Sequence, residues 1–550
     1  MISKKNFPCF IAILLVAGFA GAYGQELPTT KTFTPQDTVR TVEILPGVRK
    51  LEYRKIDSVT EIQILAGNVM LKQGTSIFKC DSCVITKRLN LFEAFGNVHI
   101  NDADTANVYA DHLRYLTDRR IAYLTNNVKL TDGKGTLVTN NLEYDVNTKV
   151  GIYRSGGKVE SKKTTVTSEE GYYYADLKDV YFKKSVKLKD PAYTLESDSL
   201  LYNTETQTAR FIAETYIVDS SNRTIRTKEG YYNQQTGKAE FGQRPIVTDG
   251  DIQATGEQMV SDDSTGIMQI TGKGIIVDTA AKRTVIADLI FYNRKTESFL
   301  ATKKPLMIIQ QDEDSVFVSA DTLFSAKLSE LYGNKDSVII KDTLRGLTVI
   351  NTNKTDSAGT KDSTDRYFEA FRHVRIFSDS LQAVCDSLFY SFKDSVFRLY
   401  DDPVVWSNES QVTGDTILLY TKNKKADRME VYKNSFLVSL VKPEIYNQVK
   451  STRMDAYFID GTIDSVRARG SAQCIYYIQD EDSAFTGINQ SNSELMDIYF
   501  KDRELRRVVL RTAVKGTIWP MHQKTPAEMR LENFIWREAE RPKTKYELFE

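Results

Sequence analysis

The chain has 550 residues with 73 basic and 73 acidic side chains, only four histidines and five cysteines, 29 tyrosines, 26 phenylalanines and 12 prolines. Balanced charge argues against a general nucleic-acid binder, and so few histidines and cysteines leave little material for metal or nucleophile chemistry. Abundant tyrosine, phenylalanine, valine, isoleucine and threonine make a strand-forming composition, and the length suits a repeat array, which grows without domain boundaries.

Residues 1–24 read as an export signal. Lys4 and Lys5 are its positive end, Phe10 to Ala22 its uncharged core, and Ala22-Tyr23-Gly24 the small residues before cleavage at Gln25. The apolar part is shorter than the ~20 residues of a membrane span, which favours removal over an uncleaved anchor. The mature chain then has 71 basic against 73 acidic residues, a net charge of −2. No later segment is apolar enough to cross a bilayer as a helix, so an exported protein is expected, soluble or peripherally bound.

Residues 25–61 form a polar lead-in broken by Pro28, Pro35 and Pro46. From Ile62 strand alternation is plain, and one phrase then recurs: Leu113-Arg114-Tyr115, Leu142-Glu143-Tyr144, Gly171-Tyr172-Tyr173, Leu200-Leu201-Tyr202 and Gly230-Tyr231-Tyr232. The closing tyrosines lie 29, 29, 29 and 30 residues apart. Such a period indicates stacked repeats, each burying its apolar face against the next. A second phrase, with Val98 and Ile100, Val128 and Leu130, and Val186 and Leu188, gives each repeat at least two strands with polar turns between.

Read outward, the first phrase is small residue, Asp, any, apolar, any, aromatic, as in Ala110–Tyr115, Ser197–Tyr202, Ala287–Tyr292 and Cys385–Tyr390, with a decayed copy at Gly256–Ser261. The apolar and aromatic positions are expected inside. The Asp is expected at the hydrated start of its strand, because a buried stack of carboxylates would repel itself. In this register Cys80 takes the small position and Cys83 the apolar one, so Cys80-Asp81-Ser82-Cys83 reads as ordinary strand rather than a redox or zinc motif. Asp132-Gly133-Lys134-Gly135 lacks the spacing of a phosphate loop and reads as a turn. Asp102-Ala103-Asp104 lacks the glycine and glutamate of a calcium loop, and Asp312-Glu313-Asp314 reads as a solvated tip. No catalytic residue, cofactor or metal is assigned.

Residues 62–343 form a first repeat block, 344–365 a polar loop or linker, and 366–515 a second block. Residues 516–550 form a tail or cap. In that tail Thr525-Pro526-Ala527-Glu528 has the order of a helix start, with Leu531, Phe534, Ile535 and Glu538 at helical spacing, which predicts a short helix over the last strand edge. An irregular tail is the alternative. About 15 rungs at 4.8 Å would give a stack on the order of 70 Å long.

The Gly-Asn-Val phrases at Gly67-Asn68-Val69 and Gly96-Asn97-Val98, the tyrosine phrases and the export signal together resemble the OstA-like family, which includes LptA and the N-terminal domain of LptD. The likeness is clearest over 62–342 and looser over 366–514, and no C-terminal outer-membrane barrel accompanies it. The resemblance implies an all-β, elongated β-jellyroll or β-taco: a V-shaped antiparallel stack carrying lipopolysaccharide with its acyl chains inside. The expected lining is Val98, Ile100, Leu113, Tyr115, Val128, Leu130, Leu142, Tyr144, Tyr173, Val186, Leu188, Leu200, Tyr202 and Tyr232. It further implies a non-catalytic periplasmic protein, associated with the outer membrane, whose partners are lipid A and other transport proteins or itself through end-to-end strand pairing. Two other readings stay open: an exported β-solenoid enzyme acting on polysaccharide, and a filled-core scaffold.

Overall fold

Two successive residues in left-handed backbone recur along the chain and set its shape. They stand at Gly67-Asn68, Gly96-Asn97, Asn126-Asn127, Lys184-Ser185, Gly272-Lys273, Arg372-His373 and Lys433-Asn434. At each pair the strand register slips, as between Phe95 and Val98 or Thr125 and Val128. Such a bulge bends a strand sharply. A strand such as Leu91–Asp102 therefore runs along one wall, turns a corner, and continues in a second. Glycine suits the first place: at Gly96 φ is +71°, and a Cβ would stand 2.4 Å from a carboxylate oxygen of Asp81.

The computed structural model describes residues 42–549 except 104, 311–314, 333–364, 423–424, 460, 481–483 and 502–503. The export signal, the Asp312-Glu313-Asp314 tip and nearly all of the polar linker lie outside the described residues. Among those described there are 40 strands, of which sixteen turn the corner and serve both walls, while twelve more belong to each wall alone. Every pairing is antiparallel, and each wall is one unbroken ladder of 28 strands. The tyrosine wall, which carries the tyrosine phrases, runs from Lys50–Lys55 to Glu504–Arg511. The valine wall runs from Glu43–Ile44 to Lys515–Trp519.

The expected all-β V-shaped stack is what the chain forms. Its length is corrected: a repeat adds two strands to each wall rather than one rung, so 28 strands at 4.8 Å span on the order of 130 Å. The strands on either side of 333–364, Thr322–Lys327 and Arg366–Phe377, pair directly, so both walls continue past the expected linker. One apolar cluster follows the interior from Leu65 to Ile498.

The tail is not the expected helix. It is extended, with 3-10 turns at Met521–Gln523, Glu538–Glu540 and Lys545–Leu548. The capping contacts do form, since the Thr525 amide and hydroxyl both donate to Glu528 at 2.8 Å. Buried glutamines, however, take the backbone groups a helix would use. Gln448 donates to the Met529 carbonyl and accepts from the Leu531 amide, both at 2.9 Å. Gln411 treats the Ile535 carbonyl and the Arg537 amide the same way, at 2.8 and 2.7 Å. Met529 and Leu531 pack on Phe436, Val438, Ile475 and Tyr477, side chains outside the main interior cluster, so the tail covers the outer face of the valine wall rather than a strand edge.

Candidate functional site

Alternation along the tyrosine wall stacks one interior row across strands: Tyr115, Ala122, Tyr144, Gly151, Tyr173, Val180, Tyr202, Ala209, Tyr232. A tyrosine stands on every second strand with a smaller residue between, so the rings lie about 10 Å apart and point into the space between the walls. Opposite them, Ile100, Val108, Leu130 and Leu137 are likewise consecutive on the valine wall.

The structure brings all fourteen of the expected interior residues together. Val98, Ile100, Leu113, Tyr115, Val128, Leu130, Leu142, Tyr144, Tyr173, Val186, Leu188, Leu200 and Tyr202 are at most 2% exposed, and Tyr232 is half-buried against the same cluster. An open V does not follow from this. The interior at these rungs is filled by its own side chains, and the mouth opposite the corner is held shut.

Polar latches cross that mouth. The Tyr115 hydroxyl donates to Gln73 at 2.6 Å and the Tyr144 hydroxyl to Asp102 at 2.8 Å. Lys149 donates to the Thr105 hydroxyl at 2.8 Å, and Ser161 to the Thr204 carbonyl at 3.1 Å. Asp102, 1% exposed, also accepts from Ser76 at 2.8 Å, so both its oxygens are engaged. Burial, then nearby carboxylates, pushes ionisation of Tyr144 and Tyr173 well up; Tyr232 rises to about 12 through burial and then Asp263. The latches join residues 42 to 44 apart, a repeat and a half, which no local reading of the phrases connects.

The aspartate of the phrase is also placed differently from expectation. It lies mid-strand at the corner, and the corner inverts the alternation, so Ala110 and Leu113 both face inward while Asp111 between them is exposed. There it receives the asparagine of the neighbouring Gly-Asn or Asn-Asn pair: Asn97 donates to Asp81 at 2.8 Å and Asn127 to Asp111 at 2.7 Å. The two recurring phrases are thus halves of one corner joint. Their matching 29-residue period was the available signal.

Cys80 and Cys83 are free and buried within the single strand Ser76–Thr86. Burial lifts Cys385 to about 12 and Cys474 to about 11, so these thiols stay protonated at neutral pH. Among the described residues no group of three or more His, Cys, Asp or Glu could hold a metal ion, and no helix is long and apolar enough to cross a membrane. Asp132-Gly133-Lys134-Gly135 is a turn, in which Asp132 accepts from the Lys134 and Gly135 amides at 2.8 Å.

Between the walls beyond Tyr202 lies a cavity of about 180 Å³, lined by Tyr193, Ile217, Asp219, Arg223, Ile225, Tyr232, Ala239, Phe241, Ser261, Asp263 and Arg294 among others. Its floor is apolar and its mouth charged.

The class these features define is an all-β, two-walled antiparallel stack folded about a single apolar interior. Residues 42–198 match the family model described as OstA-like protein, so over that stretch the resemblance read from the repeated phrases holds. Among solved structures, LptH, the LptA-homologous periplasmic component of the lipopolysaccharide transport device of Pseudomonas aeruginosa, is similar at 20% identity. The similarity covers 19% of this chain and 79% of that one with a TM-score of 0.18. No curated protein matches the chain.

Proposed function

We propose that the chain is a non-catalytic, exported component of lipopolysaccharide transport that takes lipid A acyl chains between its walls and passes them along the stack toward the outer membrane. The observation that carries this reading is the unbroken apolar interior from Leu65 to Ile498, joined to the OstA-like match over 42–198. The walls are continuous backbone at the corner but side-chain latches at the mouth, so parting them costs side-chain contacts and leaves both ladders intact. Each methylene then covered returns about 0.8 kcal/mol. Similar neighbouring rungs give similar sites, which lets a lipid advance without a deep well.

The proposed location is the periplasm, with the signal removed before Gln25 and peripheral contact with the outer membrane. In this reading the driving force comes from a partner. The end strands Lys50–Lys55 and Lys515–Trp519 are mostly exposed and suit strand pairing with a second transport protein or another copy.

The filled interior favours one other reading, a scaffold whose core is never vacated. Incubating the purified mature chain with lipopolysaccharide and measuring lipid that co-elutes on size exclusion separates the two. The transport reading predicts stoichiometric lipid, competed by lipid A and not by acyl-free polysaccharide. No retained lipid favours the scaffold, and turnover of the glycan would point to the enzyme instead.

A further inference from the structure

The tyrosine ladder lapses just beyond Tyr232. Across strands the next interior residues are Ala239 and then Ser261, the end of the decayed phrase Gly256–Ser261, where a ring would otherwise stand. Without that ring Tyr232 is only partly buried, and the cavity of about 180 Å³ opens beneath the mouth over Ile217, Ile225 and Phe241. Four charged side chains close the mouth above it. Asp219 and Arg223 on the valine wall stand 3.0 Å apart, and Asp263 and Arg294 on the tyrosine wall stand 3.0 Å apart. Across the mouth Arg223 reaches Asp263 at 3.7 Å and Arg294 reaches Asp219 at 4.0 Å.

This square comes apart differently from the contacts that cross the mouth at Tyr144 and at Lys178. Parting the Tyr144 latch strands the carboxylate of Asp102, which is 1% exposed, and parting Lys178 from Asp132 strands a carboxylate whose side chain is fully buried. Parting the square leaves a neutral Arg–Asp pair on each wall, and gives up only the two longer contacts. The neighbouring strands are short, at four or five residues each: Thr215–Asp219, Thr224–Thr227, Glu229–Asn233 and Lys238–Gly242. Farther on, the valine wall is covered from outside by the tail, whose Leu548 packs on Leu306 and Phe377.

We propose that this square is the clasp of a side port, where the walls part first and an alkyl chain of an amphiphile slides from the flank into the space of the missing ring. The cargo rests on the function proposed above, whereas the opening itself does not.

The test uses the full mature chain with two cysteine pairs, R223C with D263C at the clasp and T105C with K149C at a latch elsewhere on the mouth, each bridged by a bis-methanethiosulfonate reagent that a reductant removes. Bridging the clasp should slow lipopolysaccharide uptake at least tenfold relative to the same protein reduced, with the other bridge changing it less than twofold. Equal slowing by both bridges, or none at the clasp, overturns the port. Hydrogen exchange of the unmodified, lipid-free chain reads opening without cargo: amides of Thr215–Asp219 and Thr224–Thr227 should exchange at least tenfold faster than those of Ala106–Leu116. Equal exchange overturns the port even where lipid binds. Fast exchange with no uptake by bridged or reduced protein overturns the acyl cargo together with the transport reading.

Discussion

At the scale of single residues, the tyrosines close the mouth as well as fill the interior. Tyr144→Phe keeps the ring and deletes the hydroxyl that serves buried Asp102, so it should destabilise by about 1.5–3 kcal/mol, read as a lower denaturation midpoint. Tyr202→Phe, whose hydroxyl makes one 3.3 Å bond, should cost less. Ionisation gives a second check. Tyr115, Tyr144, Tyr173, Tyr202 and Tyr232 are all raised above the ordinary 10.0 of a tyrosine, chiefly by burial. A raised acid contributes stability that is whole below its unfolded value and is lost as pH climbs toward the folded one. Stability should therefore be flat to about pH 10 and fall above it, with ultraviolet titration showing these phenols ionising only as the fold is lost. The tyrosines, their period and their facing were legible in the sequence because strand alternation is local. Their partners Gln73 and Asp102 were not, because the contact spans 42 residues and exists only once the walls have folded onto each other.

At the scale of elements, the corner and the tail carry the predictions. Gly96→Ala puts a side chain on left-handed backbone and against Asp81, and should cost about 1–3 kcal/mol in thermal unfolding. The corner was hard to read because Lys184-Ser185 and Arg372-His373 adopt the same geometry as Gly96-Asn97 with unrelated residues, so backbone conformation rather than composition defines it. Ending the chain after Trp519 should expose Phe436, Val438, Ile475 and Tyr477 and remove the burial of Met529 and Leu531, a loss of roughly 3–6 kcal/mol. Dye binding and earlier melting of the strands Lys425–Lys442 to Phe485–Lys501 would report it. The helical spacing of Leu531 and Phe534 misled because the same side chains serve an extended strap once Gln448 and Gln411 hold its backbone. Acid should loosen this end too. Burial alone would raise Asp497, but its bonds to Arg467 and Arg511 outweigh that and leave it below its ordinary 3.8. Its contribution is present above that value and lost as pH falls through the lowered one, so R467A should narrow the acid stability range.

At the scale of the whole molecule, the two walls form a stack on the order of 130 Å long, twice what one rung per repeat suggested. The all-β class and repeat stack were legible from period and alternation. That strands bend and serve two ladders was not, because the signal for a corner is a slip in register. The pairing of Thr322–Lys327 with Arg366–Phe377 makes the interior continuous past the polar segment. The proposed lipid path can therefore be probed along its length. The most direct measurement places photo-crosslinking residues at inward Leu113, Leu142 and Leu200 and at Arg114 and Glu143 on the opposite face of the same strands, then exposes each protein to lipopolysaccharide. The account predicts adducts at the three leucine positions and none at the other two; equal labelling of both sets, or labelling confined to the outer face, would contradict it.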